Sequence, residues 1–144
     1  GEIDGVHYHF LTVEQFKEAI ANDALVEYEE VYEGRYYGTL KSEIERIQNN
    51  GKNVILDIDV KGGVNVKKMY GDNALSIFIQ PPSIEVLRER LISRATDPIE
   101  AINQRVDKAA YELTFKDRFD VSVVNDDLNT AVQQTRSLIH DFLN

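Results

Sequence analysis

The sequence contains no cysteine, which excludes disulfides, thiolate metal sites and cysteine nucleophiles. It also lacks any apolar run near the ~20 residues that a membrane-spanning helix needs, and no signal-like segment opens the chain. Basic residues are scarce, with 16 Lys and Arg against 25 Asp and Glu and a net charge of -9. We therefore expect a soluble, cytoplasmic protein that is not a general nucleic-acid binder.

What is present suits one folded domain, since 144 residues that are 42% hydrophobic can bury a sizeable core. In the first part, Thr12 and Gln15 form a capping-box pattern that predicts a helix. Residues 24–40 predict a hairpin that ends near Gly38, with Tyr36 on its packing face. Residues 40–51 predict a second helix, and Gly51 is its expected stop.

Three short apolar runs predict the strands of a parallel sheet buried on both faces. They are "NVILDIDV" (53–60), "ALSIFIQPPS" (74–83) and "FDVSVVNDD" (119–127). Helical patterns separate them, which indicates an α/β fold. Asp97 is the predicted cap of one helix, with Pro98 in its first turn and Glu100 completing the box.

Two carboxylates, Asp57 and Asp59, share one face at the carboxyl end of the first of these runs. Ligands of open α/β sheets bind beyond the carboxyl ends of the strands. A magnesium-organising or ligand-reading role is therefore one interpretation of each residue. A helix cap is the other.

Arg90 and Arg94 lie one helical turn apart, where like charges repel unless an anion lies between them. Arginine grips phosphate in a bidentate fork, so these two residues and Arg105 are candidate phosphate ligands, although solvated surface charge explains the pattern as well. Asn125 closes the third strand, where a helix cap and a ligand contact are both plausible. His7 and His9 share a side of a strand but have no evident third metal ligand.

Seven segments, in order and at matching separations, resemble the guanylate kinase family over essentially the whole chain. They are "GEIDGVHYHF", "VEYEEVYEGRYYGTL", "NVILDIDVKGG", "IFIQPPS", "LRERLISRATD", "INQRV" and "VVNDDL". The resemblance implies a P-loop kinase-type parallel sheet with flanking helices, a small β-rich GMP-binding region and a helical lid. It also implies phosphorylation of GMP, or dGMP, to the diphosphate with ATP and Mg²⁺.

The resemblance also implies the site residues. Those for GMP are Glu2, Tyr8, Glu27, Tyr37, Thr39 and Asp59. Glu27 and Thr39 match positions that read guanine, Asp59 looks like a second guanine contact, and Tyr8 and Tyr37 match tyrosines on the GMP phosphate. Those for ATP are Arg90, Arg94, Arg105 and Asn125. Asp57, Arg94 and Arg105 are the implied catalytic residues, with Asp57 reaching magnesium through bound water.

Within a single domain spanning 1–144, the resemblance assigns the GMP-binding region to 1–40, the core to 41–90 and 112–144, and the lid to 91–111. A monomer or a homodimer is expected. Two smaller departures from the family are Lys61, where Gln is frequent, and Ala95, where the lid usually has Gly.

The largest departure is that the string G-x-x-x-x-G-K-[ST] does not occur. Relative to the family, the first strand and the P-loop are missing, so we expect a fragment that retains part of the GMP site and is catalytically inactive. The alternative function is a non-catalytic guanylate-kinase-like interaction module. The guanine-reading residues and lid arginines favour the enzyme.

Overall fold

The computed structural model describes residues 11–32, 35–94 and 97–144. The helices are α1 (Val13–Ala21), α2 (Lys41–Asn49), α3 (Val60–Tyr70), α4 (Ile84–Arg94), α5 (Ile99–Leu113) and α6 (Leu128–Leu143). The strands are β1 (Leu25–Tyr32), β2 (Arg35–Leu40), β3 (Ile77–Gln80) and β4 (Val121–Val124). The chain divides into two compact units, Gly1–Met69 and Tyr70–Asn144. No described helix is both long and apolar enough to cross a membrane.

The first unit starts with α1, whose predicted capping box is confirmed. The Thr12 hydroxyl accepts a hydrogen bond from the Gln15 amide at 3.1 Å, and the Thr12 amide donates to the Gln15 side chain at 2.9 Å. The second helix also ends as predicted, since Gly51 follows its cap and has a φ of 73°. A left-handed residue at this point suits glycine.

Strands β1 and β2 form an antiparallel hairpin. It extends to the pair of Leu25 and Leu40, two residues beyond the end predicted near Gly38. Phe16 of α1 packs on one face, stacked on Tyr36 with ring centroids 5.2 Å apart. That confirms Tyr36 as the packing tyrosine. A Cβ on Gly38 would lie 2.8 Å from the Glu27 carbonyl oxygen and 3.0 Å from the Phe16 ring, so this close approach of helix and hairpin requires glycine.

The predicted strand over residues 53–60 is absent, and this expectation was wrong. Ile55 is 80% exposed, Asp57 is also exposed, and Val60 already belongs to α3. A strand requires a hydrogen-bonded neighbour, and the ladders among the described residues join only β1 to β2 and β3 to β4. The apolar composition of the run therefore did not determine its structure.

In the second unit, β3 and β4 pair in parallel, as predicted. Phe78 and Val123 are buried, and Phe78 packs edge-on against Phe119. However, Ile79 and Val124 are exposed, so the expected burial on both faces was wrong. A parallel sheet is buried on both faces only where helices cover both, and the two strands bury only part of their apolar surface within the described residues.

Helices α4 and α5 pack through a small core of Leu91, Ile102 and Val106. Pro98, with an extended ψ of 156°, occupies the cap position of α5, so the predicted cap at Asp97 was wrong. The Asp97 carboxylate instead pairs with Arg105. At α6 the cap is Asp127, whose carboxylate accepts from the Thr130 amide at 3.1 Å.

Candidate functional site

Two polar side chains face each other across the hairpin of the first unit. Glu27 of β1 and Thr39 of β2 are register partners, and both are half-buried. The Thr39 hydroxyl donates a hydrogen bond of 2.7 Å to Oε1 of Glu27. The other carboxylate oxygen of Glu27, Oε2, approaches the start of α3.

The surroundings of Glu27 shift the pKa of its carboxyl upward. Burial raises the pKa of the Glu27 carboxyl, and the negative charges of Asp59 and Glu29 raise it further. The hydrogen bond from Thr39 opposes these effects but does not cancel them. Shifted pKa values cluster at functional sites, although structural networks also produce them.

Asp59 lies beside Glu27, at the start of α3. Its Oδ1 accepts a hydrogen bond of 2.8 Å from the Gly62 amide, which confirms the interpretation of Asp59 as a helix cap. A Cβ built on Gly62 would lie 3.1 Å from Oδ1 of Asp59 and 3.3 Å from Oε2 of Glu27. The structure thus brings the Glu27 and Asp59 carboxylates together beside Gly62, with Thr39 bonded to Glu27.

Tyr37 lies two residues before Thr39 on the same strand and therefore on the same face. Its side chain is exposed, and the Arg35 guanidinium carbon lies 6.0 Å from the ring centroid. Tyr36 points to the opposite face, against Phe16. The two adjacent tyrosines thus have different surroundings.

Asp57 is an exposed carboxylate in the segment before α3. Among the described ranges, no group of three or more His, Cys, Asp or Glu side chains could hold a metal ion. A lone exposed carboxylate fits contact with magnesium through the waters that the ion retains, since Mg²⁺ keeps several of them. Glu2 and Tyr8, like His7 and His9, lie outside the described residues.

In the second unit, the side chain of Arg90 on α4 forms hydrogen bonds with main-chain carbonyls just after β4. One guanidinium nitrogen donates to the Asn125 carbonyl at 2.7 Å, and another donates to the Asp126 carbonyl at 3.0 Å. The Asn125 amide in turn donates to the Gln80 carbonyl at 2.7 Å, next to the last register pair of the parallel sheet. Arg90 therefore ties α4 to the start of α6.

The other two arginines have different surroundings. Arg105 of α5 pairs with Asp97 at 3.1 Å, with about half of its side chain still exposed. Arg94, the last residue of α4, is exposed, and among the described residues no carboxylate pairs with it. Spacing in the sequence suggested one arginine group, whereas the structure gives each arginine a different environment.

Comparison with known proteins identifies the family. The guanylate kinase family model matches residues 1–142. The chain belongs to the guanylate kinase family. A guanylate kinase from Bacteroides thetaiotaomicron is 54% identical over 99% of this chain and 70% of that protein. A guanylate kinase from Porphyromonas gingivalis is 55% identical over 99% of this chain and 76% of that protein.

A solved guanylate kinase structure supports the fold. The crystal structure from Anaplasma phagocytophilum matches with a TM-score of 0.71 and 30% identity, covering all of this chain and 70% of that one. The mixed α/β guanylate kinase fold expected from the sequence is therefore confirmed.

Sequence reasoning missed two features of this chain. Gly62 lies beside both the Glu27 and the Asp59 carboxylates, and its only sequence signal was the Gly-Gly pair that starts three residues after Asp59. The main-chain acceptors of Arg90 lie 35 and 36 residues away, so no local pattern could have indicated them.

Proposed function

We propose that Glu27, Thr39 and Asp59 form the guanine-reading part of a GMP site. The observation that carries this proposal is that the Glu27 and Asp59 carboxylates meet beside Gly62, while the Thr39 hydroxyl is bonded to Glu27. Tyr37, on the same face as Thr39, would contact the phosphate. Glu2 and Tyr8 complete the proposed GMP residues.

The donor and acceptor pattern explains why such a site would prefer guanine. Guanine offers hydrogens on N1 and on the 2-amino group, which two ionised carboxylates can accept. Adenine presents an unprotonated N1 in the same place, and this nitrogen would face a carboxylate without a hydrogen between them. Unpaired polar groups in a partly buried site reduce affinity strongly.

For the reaction, we propose ATP-dependent phosphorylation of GMP to GDP. The exposed Arg94 and the half-exposed Arg105 would neutralise donor phosphates, with Arg90 beside them. Asn125 would lie near the adenine end of the ATP site. Bound magnesium would supply charge neutralisation on the phosphates, with Asp57 contacting its waters. Phosphoryl transfer depends mainly on such alignment and charge compensation.

We further propose that the GMP-binding region spans 1–40, the lid 91–111 and the core 41–90 and 112–144, in a cytoplasmic enzyme. The 144 residues contain no G-x-x-x-x-G-K-[ST] string, whose amides and lysine hold donor phosphates. We therefore expect this chain alone to bind GMP without phosphorylating it. Appreciable GMP-dependent ADP formation by this chain would contradict that expectation.

Calorimetry with GMP and AMP tests the proposed guanine site directly. We expect GMP to bind at least about tenfold more tightly than AMP, which corresponds to ~1.4 kcal/mol. Guanosine serves as a matched ligand that keeps the base and lacks the phosphate. Equal affinity for GMP and AMP, or no binding of either, would remove the roles proposed for Glu27 and Thr39.

A further inference from the structure

Gly62 is a buried residue in the first turn of α3, where its amide already donates to Asp59. A Cβ at this position would lie 3.1 Å from Oδ1 of Asp59 and 3.3 Å from Oε2 of Glu27. It would also lie 3.3 Å from Cδ1 of Ile58. Two of the three nearest atoms are thus carboxylate oxygens of the proposed guanine site.

All three neighbouring atoms are the far ends of side chains that can rotate. The fold can therefore accommodate a methyl group at position 62 by moving those side chains, with no shift of the backbone. Alanine is also a better helix former than glycine, and Gly62 lies inside a helix. A methyl group there should leave the fold intact and displace the two carboxylates.

We propose that Gly62 is a specificity-determining positioning residue, because its missing side chain lets Glu27 and Asp59 reach the same edge of a purine. The inference rests on the proposed guanine site and extends it to a residue that touches no ligand. The edge in question carries N1–H and the 2-amino group. Hypoxanthine has the first but lacks the second, so IMP needs fewer acceptors than GMP.

The test is calorimetric binding of GMP and IMP to the wild type and to Gly62→Ala, together with thermal unfolding of both. We expect Gly62→Ala to weaken GMP about tenfold and IMP less than about threefold, so that the preference for GMP over IMP falls. The unfolding temperature should change little, because the better helix propensity of alanine offsets any weakening of the Asp59 cap. An unchanged GMP-to-IMP ratio, at any unfolding temperature, overturns the proposal.

Gly63→Ala is the matched control, since it makes the same chemical change one position along the helix. Its Cβ points about 100° away around the helix axis, given ~3.6 residues per turn. We expect it to leave the GMP-to-IMP ratio at the wild-type value. A fall as large as that in Gly62→Ala would show a general effect of α3 and would overturn the specific role of Gly62.

A double-mutant cycle identifies the carboxylate through which the methyl group acts. Glu27→Asp withdraws that carboxylate by one methylene, so Gly62→Ala should weaken GMP less in this background than in the wild type. Strictly additive effects would contradict a contact between the methyl group and Glu27. If the wild type itself fails to prefer GMP over AMP, the proposed function fails, independently of any result at Gly62.

Discussion

The two units of the chain hold their proposed ligand groups in different ways. In the first unit, Glu27, Thr39 and Asp59 lie together, and a hairpin and the start of a helix fix their positions. In the second unit, Arg90 is bound to main-chain carbonyls while Arg94 is exposed. A base-reading site benefits from fixed acceptors, whereas an arginine on the proposed lid must change position when the lid closes.

The packing of α1 against the hairpin supports the fixed arrangement, and Gly38→Val should disrupt it most. A side chain at Gly38 would collide with the Glu27 carbonyl and the Phe16 ring. We expect a loss of up to ~3 kcal/mol in unfolding free energy, measured by urea denaturation. Gly51→Asn is the control, because Gly51 has open space and a φ that Asn tolerates, and its effect should stay within ~0.5 kcal/mol.

Glu27→Gln tests the chemistry of the fixed site while nearly preserving its shape. One acceptor becomes a donor, so we expect GMP binding to weaken by about 2 kcal/mol, roughly thirtyfold, with little change for AMP. Calorimetry measures both ligands. Glu18→Gln, on the exposed part of α1, removes the same charge away from the site and should change neither. Similar losses for GMP and AMP would argue against guanine reading.

Arg90→Met tests the difference between the bonded Arg90 and the exposed Arg94 in the second unit. The variant loses two hydrogen bonds to the Asn125 and Asp126 carbonyls, so we expect a loss of ~1–2 kcal/mol in unfolding free energy. Arg94→Met should change stability by less than ~0.5 kcal/mol, since Arg94 is exposed. Denaturant unfolding of both variants measures the difference. Equal effects would show that the main-chain contacts of Arg90 contribute little.

The smallest expected effect is a pH dependence that comes from Glu27. Its pKa in the folded protein is raised above the ordinary 4.5, mainly by burial. The carboxyl therefore contributes stability below its unfolded pKa, and that contribution is lost as the pH rises through the folded pKa. Relative to Glu27→Gln, the wild type should lose stability as the pH rises from 4.5 toward neutrality. Parallel stability curves, from urea unfolding across this range, would contradict the raised pKa.

Local signals predicted local structure well. The Thr12 and Gln15 box, the Gly51 stop and the hairpin each depend on neighbouring residues, and the structure contains all three. The resemblance to guanylate kinases, carried by seven separate segments, predicted the family and the α/β fold, both of which the comparisons confirm. None of these inferences required knowledge of distant contacts.

Some of the errors come from dependence on distant partners, and one comes from residues close in the sequence. Residues 53–60 have the composition of a buried strand, but a strand needs a neighbour that composition cannot supply. The Asp97 cap was wrong because Pro98 takes that position and Arg105 pairs with the carboxylate. Similarly, the approach of Glu27 to Asp59 follows from tertiary packing around Gly62, which no spacing rule contains.

The hydrogen bond from Thr39 to Glu27 has a consequence for how the proposed site would fill. A hydroxyl has a single proton, and in this structure Thr39 gives it to Glu27. For Thr39 to donate to the guanine carbonyl oxygen, that proton must swing away, and a hydrogen from N1 or the 2-amino group must replace it on Glu27. Binding would thus replace the hydrogen bond from Thr39 to Glu27 by two new ones. Only a base that accepts from Thr39 and also donates to Glu27 can make both.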